Sequence, residues 1–236
     1  AEWIRKAADQ GLAEAQSTLA AMYAGGLGMM QDLTQAAAWW RKAADQGLPV
    51  AEHALAAMYV DGRGVKQDIA QAAAWWQKAA DHGLADAQYA LAVLYESGVG
   101  VMQDSAKAMA FWRKAGDQGH VFAQNTLGMR YFDGKGVDAD PAQAVDWWRK
   151  AAAQNHAPAL ENLGVAYLVG RGVERDPVQA VAWWRKAAGL GNLSAMNNLA
   201  AASSQGDGVD KNPAEAARWW RQAADRGDAR AQHALA

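Results

Sequence analysis

Six Gly-x-Gly pairs are the first pattern in this chain that could carry chemistry: Gly26/Gly28, Gly62/Gly64, Gly98/Gly100, Gly134/Gly136, Gly170/Gly172 and Gly206/Gly208. Glycine-rich turns let backbone N–H groups close around a phosphate, but that use needs a strand before the turn and a helix after it. Here each pair follows a helical pattern, so the pairs read as structural turns. Five histidines (His53, His82, His120, His156, His233) offer imidazoles, yet no two have the close spacing of a metal-binding pair. His120 and His156 hold the same place just after a helix stop and read as solvent-facing loop residues. No serine or threonine adjoins a base, and no acid pair stands apart from a set of recurrent aspartates. The residue types point away from catalysis, and neither a metal nor a cofactor is expected.

Aromatic doublets are a further candidate, since exposed tryptophans stack on sugars. They are Trp39-Trp40, Trp75-Trp76, Phe111-Trp112, Trp147-Trp148, Trp183-Trp184 and Trp219-Trp220. Their strict placement beside invariably small positions reads instead as core. Composition narrows the partners: a net charge of −2 and a pI near 6.2 lack the concentrated basic face of a nucleic-acid binder. The absence of cysteine removes disulfides, thiolate zinc sites and thiol nucleophiles, and leaves the redox compartment open. No apolar run approaches the ~18 residues that span a bilayer.

The elements that position these residues come from one stretch, Ala36 to Gly47, AAAWWRKAADQG, which returns every 36 residues without insertion or deletion. A fixed period of this size is the signature of a repeat array. The whole chain, 1–236, reads as one array with full units 13–48, 49–84, 85–120, 121–156, 157–192 and 193–228. Residues 1–12 and 229–236 are partial units, and because the first lies mid-repeat the chain is expected to be part of a longer protein.

Each unit holds two helical patterns. The first carries Ala, Leu and Tyr at i, i+4 and i+8, as in Ala15, Leu19 and Tyr23, with Ser203 replacing tyrosine in the sixth unit. The glycine turn ends it. Asp32, Asp68, Asp104, Asp140, Asp176 or Asn212 then caps the second helix, with Pro141, Pro177 and Pro213 at first helical positions. Gly47, Gly83, Gly119, Asn155, Gly191 or Gly227 stops it. The class is all-α, an α/α solenoid of 36-residue helix-turn-helix repeats. Successive tryptophans point ~100° apart on a helix, so one should lie within its helix pair and the other against a neighbouring pair.

The unit A-x-A-x-x-x-L-(A/G)-x-x-Y-x-x-G-x-G-V-x-x-D-x-x-x-A-x-x-W-x-(R/Q)-K-A-A-x-x-G resembles the Sel-1-like repeat, a relative of the tetratricopeptide repeat. Local departures are Phe111 for tryptophan, Ser203 for tyrosine, Gly116 for alanine and Met29 for valine. The resemblance implies a right-handed superhelix acting as an adaptor, with first helices lining a concave groove. It also leans toward a bacterial, periplasmic or secreted setting.

On that reading four rows of first-helix residues face the groove, and they vary where packing positions repeat. One runs Ser17, His53, Tyr89, Asn125, Glu161, Asn197, and the next Thr18, Ala54, Ala90, Thr126, Asn162, Asn198. The others are Ala21, Ala57, Val93, Met129, Val165, Ala201 and Ala24, Val60, Glu96, Phe132, Leu168, Ser204. Phe122, Met129, Phe132, Val165 and Leu168 form an apolar floor edged by Asn125, Glu161 and Asn162, with Tyr89, Asn197 and Asn198 extending it. Such a surface suits a peptide, its amides pairing with backbone and its floor taking side chains. The expected function is a non-catalytic protein-interaction scaffold for a protein or peptide partner, with an envelope glycan or cell-wall ligand as the alternative. Trp3 and Leu235 at the open ends are expected to be exposed and to favour end-to-end self-association.

Overall fold

The computed structural model describes residues 1–235, and among these every regular element is a helix. The helices are α1 Glu2–Asp9, α2 Ala13–Gly25, α3 Leu33–Asp45, α4 Pro49–Asp61, α5 Ile69–Asp81, α6 Ala85–Ser97 and α7 Ser105–Asp117. The series continues with α8 Val121–Asp133, α9 Pro141–Ala153, α10 Ala157–Val169, α11 Pro177–Gly189, α12 Leu193–Gln205, α13 Pro213–Ala224 and α14 Ala229–Ala234. They fall into two compact units, Ala1–His120 and Val121–Ala236. Within each unit the two helices of a repeat pack together, and the second helix also packs on the first helix of the next repeat. This is an α/α solenoid.

Boundaries follow from backbone chemistry. The Asp32 carboxylate accepts bonds from the Thr34 and Gln35 backbone N–H groups, and Asp68, Asp104, Asp140, Asp176 and Asn212 cap their helices likewise. Asn155, where other repeats have glycine, takes φ +59°, the one positive φ outside glycine among the described residues. At Gly64, Gly100, Gly172 and Gly208 the second glycine of the turn has a further duty. At Gly64, φ is +72° and an added Cβ would stand 2.1 Å from the carbonyl oxygen of Leu33, at the start of α3 in the preceding repeat. Gly172 meets Pro141 and Gly208 meets Pro177 in the same way, which lets consecutive repeats close backbone to backbone.

The core is a strip of one leucine per repeat, Leu19, Leu55, Leu91, Leu127 and Leu163, all essentially inaccessible. Alanines at Ala36, Ala72, Ala108, Ala144 and Ala180 are equally buried and allow the close helix approach. The second aromatic of each doublet lies within its own pair. Trp76 donates Nε1–H to His53 Nδ1 of α4 at 3.1 Å, and Trp184 donates to the Glu161 carbonyl of α10 at 3.2 Å. The first aromatic faces the preceding repeat, where the Arg41 guanidinium lies 5.7 Å from the Trp75 ring. A lysine three residues on covers the same ring, with Lys42, Lys78 and Lys150 ammonium groups 3.7–3.8 Å from their tryptophan centroids.

Polar ties reinforce the repeat junctions. Arg5 donates to the Tyr23 hydroxyl, Arg41 to Tyr59, and Arg149 to Tyr167 at 3.1 Å, each pair eighteen residues apart. Buried glutamines make a second series: Gln46 to Gln16 at 2.8 Å, Gln118 to Gln88 at 2.8 Å, Gln154 to Gln124 at 3.0 Å. In the second repeat that pair is Glu52 with His82, 2.9 Å apart. At the ends, Trp3 is 79% exposed and Leu235 39%.

His53, His120 and His156 are half-buried and depart from a solvent-facing loop reading, whereas His82 and His233 are exposed. His53 is half-buried as the acceptor for Trp76, and His82 Nδ1 lies 2.9 Å from an oxygen of buried Glu52. His120 stacks on Tyr89 at 4.6 Å, and His156 meets the Phe122 ring edge-on at 5.3 Å. Placed just past a helix stop, an imidazole at this register folds back over the first helix of its own repeat instead of pointing outward. Among the described residues no three His, Asp or Glu side chains cluster as metal ligands.

Candidate functional site: the first-helix face

In the unit Val121–Ala236 the first helices α8, α10 and α12 lie side by side, and their variable rows form a polar ladder. Asn162 donates Nδ2–H to Asn125 Oδ1 at 3.2 Å, and Asn198 donates to Glu161 Oε1 at 2.8 Å. Asn197 donates to Asp228 at 3.0 Å, the residue that also caps α14. The amides expected to be free for a ligand are thus partly engaged with each other, which fixes their orientation. Each asparagine amide still has hydrogen-bonding capacity beyond its one ladder bond. Burial raises the Glu161 carboxyl above its ordinary range, offset in part by the Asn198 amide and the Arg230 charge.

The apolar members divide in two. Phe122 is 55% exposed and Met129 41% exposed, so both present surface to solvent. Val165 and Leu168 are half-buried. Phe132 is tucked in: its ring lies 5.1 Å from that of Trp148, and the Arg171 guanidinium sits 4.3 Å over its outer face. The same guanidinium donates to the Phe132 carbonyl at 2.6 Å. Phe132 is therefore more a wall of this face than a free contact. Tyr89 belongs to the unit Ala1–His120, where it is half-buried against His120.

Sequence reasoning missed a second feature, a recess between consecutive repeats. Ala24, Leu33, Trp40, Ala54, Ala57, Met58, Asp61 and Arg63 enclose about 260 Å³ in the unit Ala1–His120. The same register in the other unit, Leu168, Trp184, Asn198, Ala201, Ala202, Gln205 and Asp207, encloses about 70 Å³. The available signal was the size variation of one row, Ala24, Val60, Phe132, Leu168, rather than any one residue.

A family model described as Sel1 repeat matches residues 1–12, 13–48, 49–84, 85–120, 121–156, 157–192 and 193–228. Among solved structures, the chain is similar to a protective antigen of uropathogenic Escherichia coli strains that displays an SLR fold. The two share 38% identity at a TM-score of 0.95 over 99% of this chain, which spans 50% of that protein's length. A Sel1 repeat protein from Oxalobacter formigenes is 34% identical at a TM-score of 0.81, over 92% of this chain and 89% of the other. A sel1 repeat protein from Klebsiella pneumoniae shares the fold at 23% identity and a TM-score of 0.53, over 84% of this chain and 97% of the other. No curated protein sequence matches the chain.

Proposed function

The chain belongs to the Sel1 repeat family, and on that premise we propose that it is a non-catalytic scaffold that binds a peptide segment across its first-helix face. Proteins of this family serve in general as interaction scaffolds. The observation that carries the finer reading is the pairing of exposed apolar groups, Phe122 and Met129, with an oriented ladder of amides and a carboxylate. Apolar side chains of a partner supply the hydrophobic contact, and the spare valences of Asn125, Asn162 and Asn198 take its backbone. Glu161, Asn197, Val165 and Leu168 hold those groups in place. Seven of the twelve tryptophans are buried in the core, which weighs against a continuous stacking ladder for a glycan.

Selection from a displayed library of random linear peptides tests this. The expected result is enrichment of peptides on the wild-type chain that fails on Met129→Lys combined with Phe122→Ser. Both sites are exposed enough for the fold to survive, as circular dichroism would verify. Absence of any enriched peptide, or enrichment unchanged by the substitutions, would overturn the proposal. Titration with cell-wall oligosaccharides, read by tryptophan fluorescence, tests the alternative.

A further inference from the structure

The recess under Ala24 has an internal template elsewhere in the chain. At the equivalent place in the fourth repeat the side chain is Phe132, and its ring occupies the space above Trp148. In the fifth repeat it is Leu168, above Trp184, and about 70 Å³ remains. In the first repeat it is Ala24, above Trp40, and about 260 Å³ is open. Of the two recesses at this register, the one beside Ala24 is larger than the one beside Leu168, and in the fourth repeat the Phe132 ring stands at this place. Trp40, Met58, Ala54 and Ala57 make an apolar pocket because the group that elsewhere fills it is absent.

The rim repeats the template too. Arg171, which covers the Phe132 ring and donates to the Phe132 carbonyl, has Arg63 as its counterpart at the rim of the open recess. Arg63 is exposed and makes no ion pair among the described residues, and Asp61 stands beside it on the same rim. An extended peptide offers a carbonyl and an N–H on either side of each side chain. A guanidinium and a carboxylate at one mouth match that pair.

We propose that the recess formed by Ala24, Trp40, Ala54, Ala57, Met58 and Arg63 is a socket for one aromatic side chain of a partner peptide. The ring stacks over Trp40 beneath the Arg63 guanidinium, and Arg63 donates to the carbonyl of that same residue, as Arg171 does for Phe132. The occupant is phenylalanine or tyrosine in an extended segment of another protein. This deepens the scaffold reading by naming an anchor residue, and it rests on that reading for its biological sense.

The test uses the whole chain with a blocked phenylalanine, N-acetyl-phenylalaninamide, as probe and N-acetyl-alaninamide as control. Binding is read by NMR at the Met58 methyl group and the Trp40 indole N–H. The expected result is saturable millimolar shifts with the phenylalanine probe only. They disappear in Ala24→Phe, which copies the filled slot of the fourth repeat, and weaken about threefold in Arg63→Met, which is roughly 0.7 kcal/mol and within the range of an exposed cation–π contact. Phe132→Ala should add a second site for the same probe. Shifts absent in the wild type, or unchanged in a folded Ala24→Phe variant, would overturn the socket. Library-selected peptides separate the two readings: binding lost on Met129→Lys but kept in Ala24→Phe sinks the socket and leaves the scaffold standing. Probe binding with no peptide selected does the reverse.

Discussion

Gly164 lies flat beneath the indole of Trp184, so close that a Cβ built on it would stand 2.2 Å from Nε1. Gly128 stands in the same relation to Trp148, at 2.3 Å. The other repeats have alanine at this register, in Ala20, Ala56, Ala92 and Ala200. Over Gly164 the Trp184 indole donates to a backbone carbonyl, over Gly128 the Trp148 Nε1 is buried without a hydrogen-bond partner, and above Ala56 the Trp76 indole turns to the His53 side chain. Gly164→Ala is therefore an overpacking substitution despite copying its neighbours, and should cost about 1–3 kcal/mol. Urea unfolding monitored by tryptophan fluorescence reads this directly, and a stabilised variant would show the alanine geometry to be open to every repeat.

The turn glycines supply an internal control. Gly64 combines φ +72° with a Cβ that would meet the Leu33 carbonyl at 2.1 Å, whereas Gly28, at φ +71°, would meet only the Met22 methyl at 3.9 Å. Gly28→Ala should cost the backbone strain alone, about 1 kcal/mol, while Gly64→Ala adds the clash and should cost about 2–4 kcal/mol. Equal losses at the two positions, measured by chemical denaturation, would mean that repeat-to-repeat approach sets no constraint there.

Glu52 sits where three other repeats bury glutamine. At this register Gln16 and Gln88 donate their side-chain amides to the carbonyls of Ala8 and Ala80, at 3.2 and 3.3 Å. A carboxylate cannot make that donation. Glu52→Gln can keep an oxygen for His82 and regain a donor for the Ala44 carbonyl, so stability should rise by about 0.5–1.5 kcal/mol. A loss measured by thermal unfolding near neutral pH would instead make the His82 pairing the stronger term.

Acid should weaken the fold through its half-buried imidazoles. His53, His120 and His156 are each held below their ordinary 6.5, chiefly by burial, with Asp86 partly opposing this for the first two. Below pH 6.5 the unfolded chain then binds protons that the folded chain refuses, and stability falls as pH drops toward the folded values. His53→Asn, which copies Asn125 and Asn197 at that register and can still accept from Trp76, should flatten this slope.

Glu161 has the opposite sign. Its folded carboxyl is raised above 4.5 by burial, so its contribution is present below that pH and is lost as pH rises through the folded value. Glu161→Gln keeps an acceptor for Asn198 and should gain stability over the wild type near pH 7, the gap closing in acid. Paired melting curves at pH 4 and pH 7 check both variants.

Much of this was legible in the sequence because each repeat is its own experiment. The caps at Asp32 and its equivalents, the stop at Asn155 and the leucine strip rest on local backbone rules and a fixed period, and all lie where those rules put them. The histidine contacts were not legible, since the partner of His53 is 23 residues away and that of His82 is 30, across a packed pair. Phe122 and Met129 are exposed, but Phe132 is covered by Arg171, 39 residues on. The socket escaped notice for the plainest reason: alanine at Ala24 carries no chemical signal, and only its larger counterparts reveal what it leaves empty.

The arginine–tyrosine ties have a genetic consequence. Each joins residues eighteen apart, within a chain whose pattern returns every 36. Excising residues 49–84 would put Leu48 in the place of Leu84 and bring Arg41 into the same relation to Tyr95 that it now has to Tyr59. Unequal recombination between repeats can thus lengthen or shorten the protein without asking any side chain to find a new kind of neighbour. Adding or removing one residue within a repeat changes the eighteen-residue spacing of any tie that spans it, whereas a change of one whole repeat leaves every spacing intact.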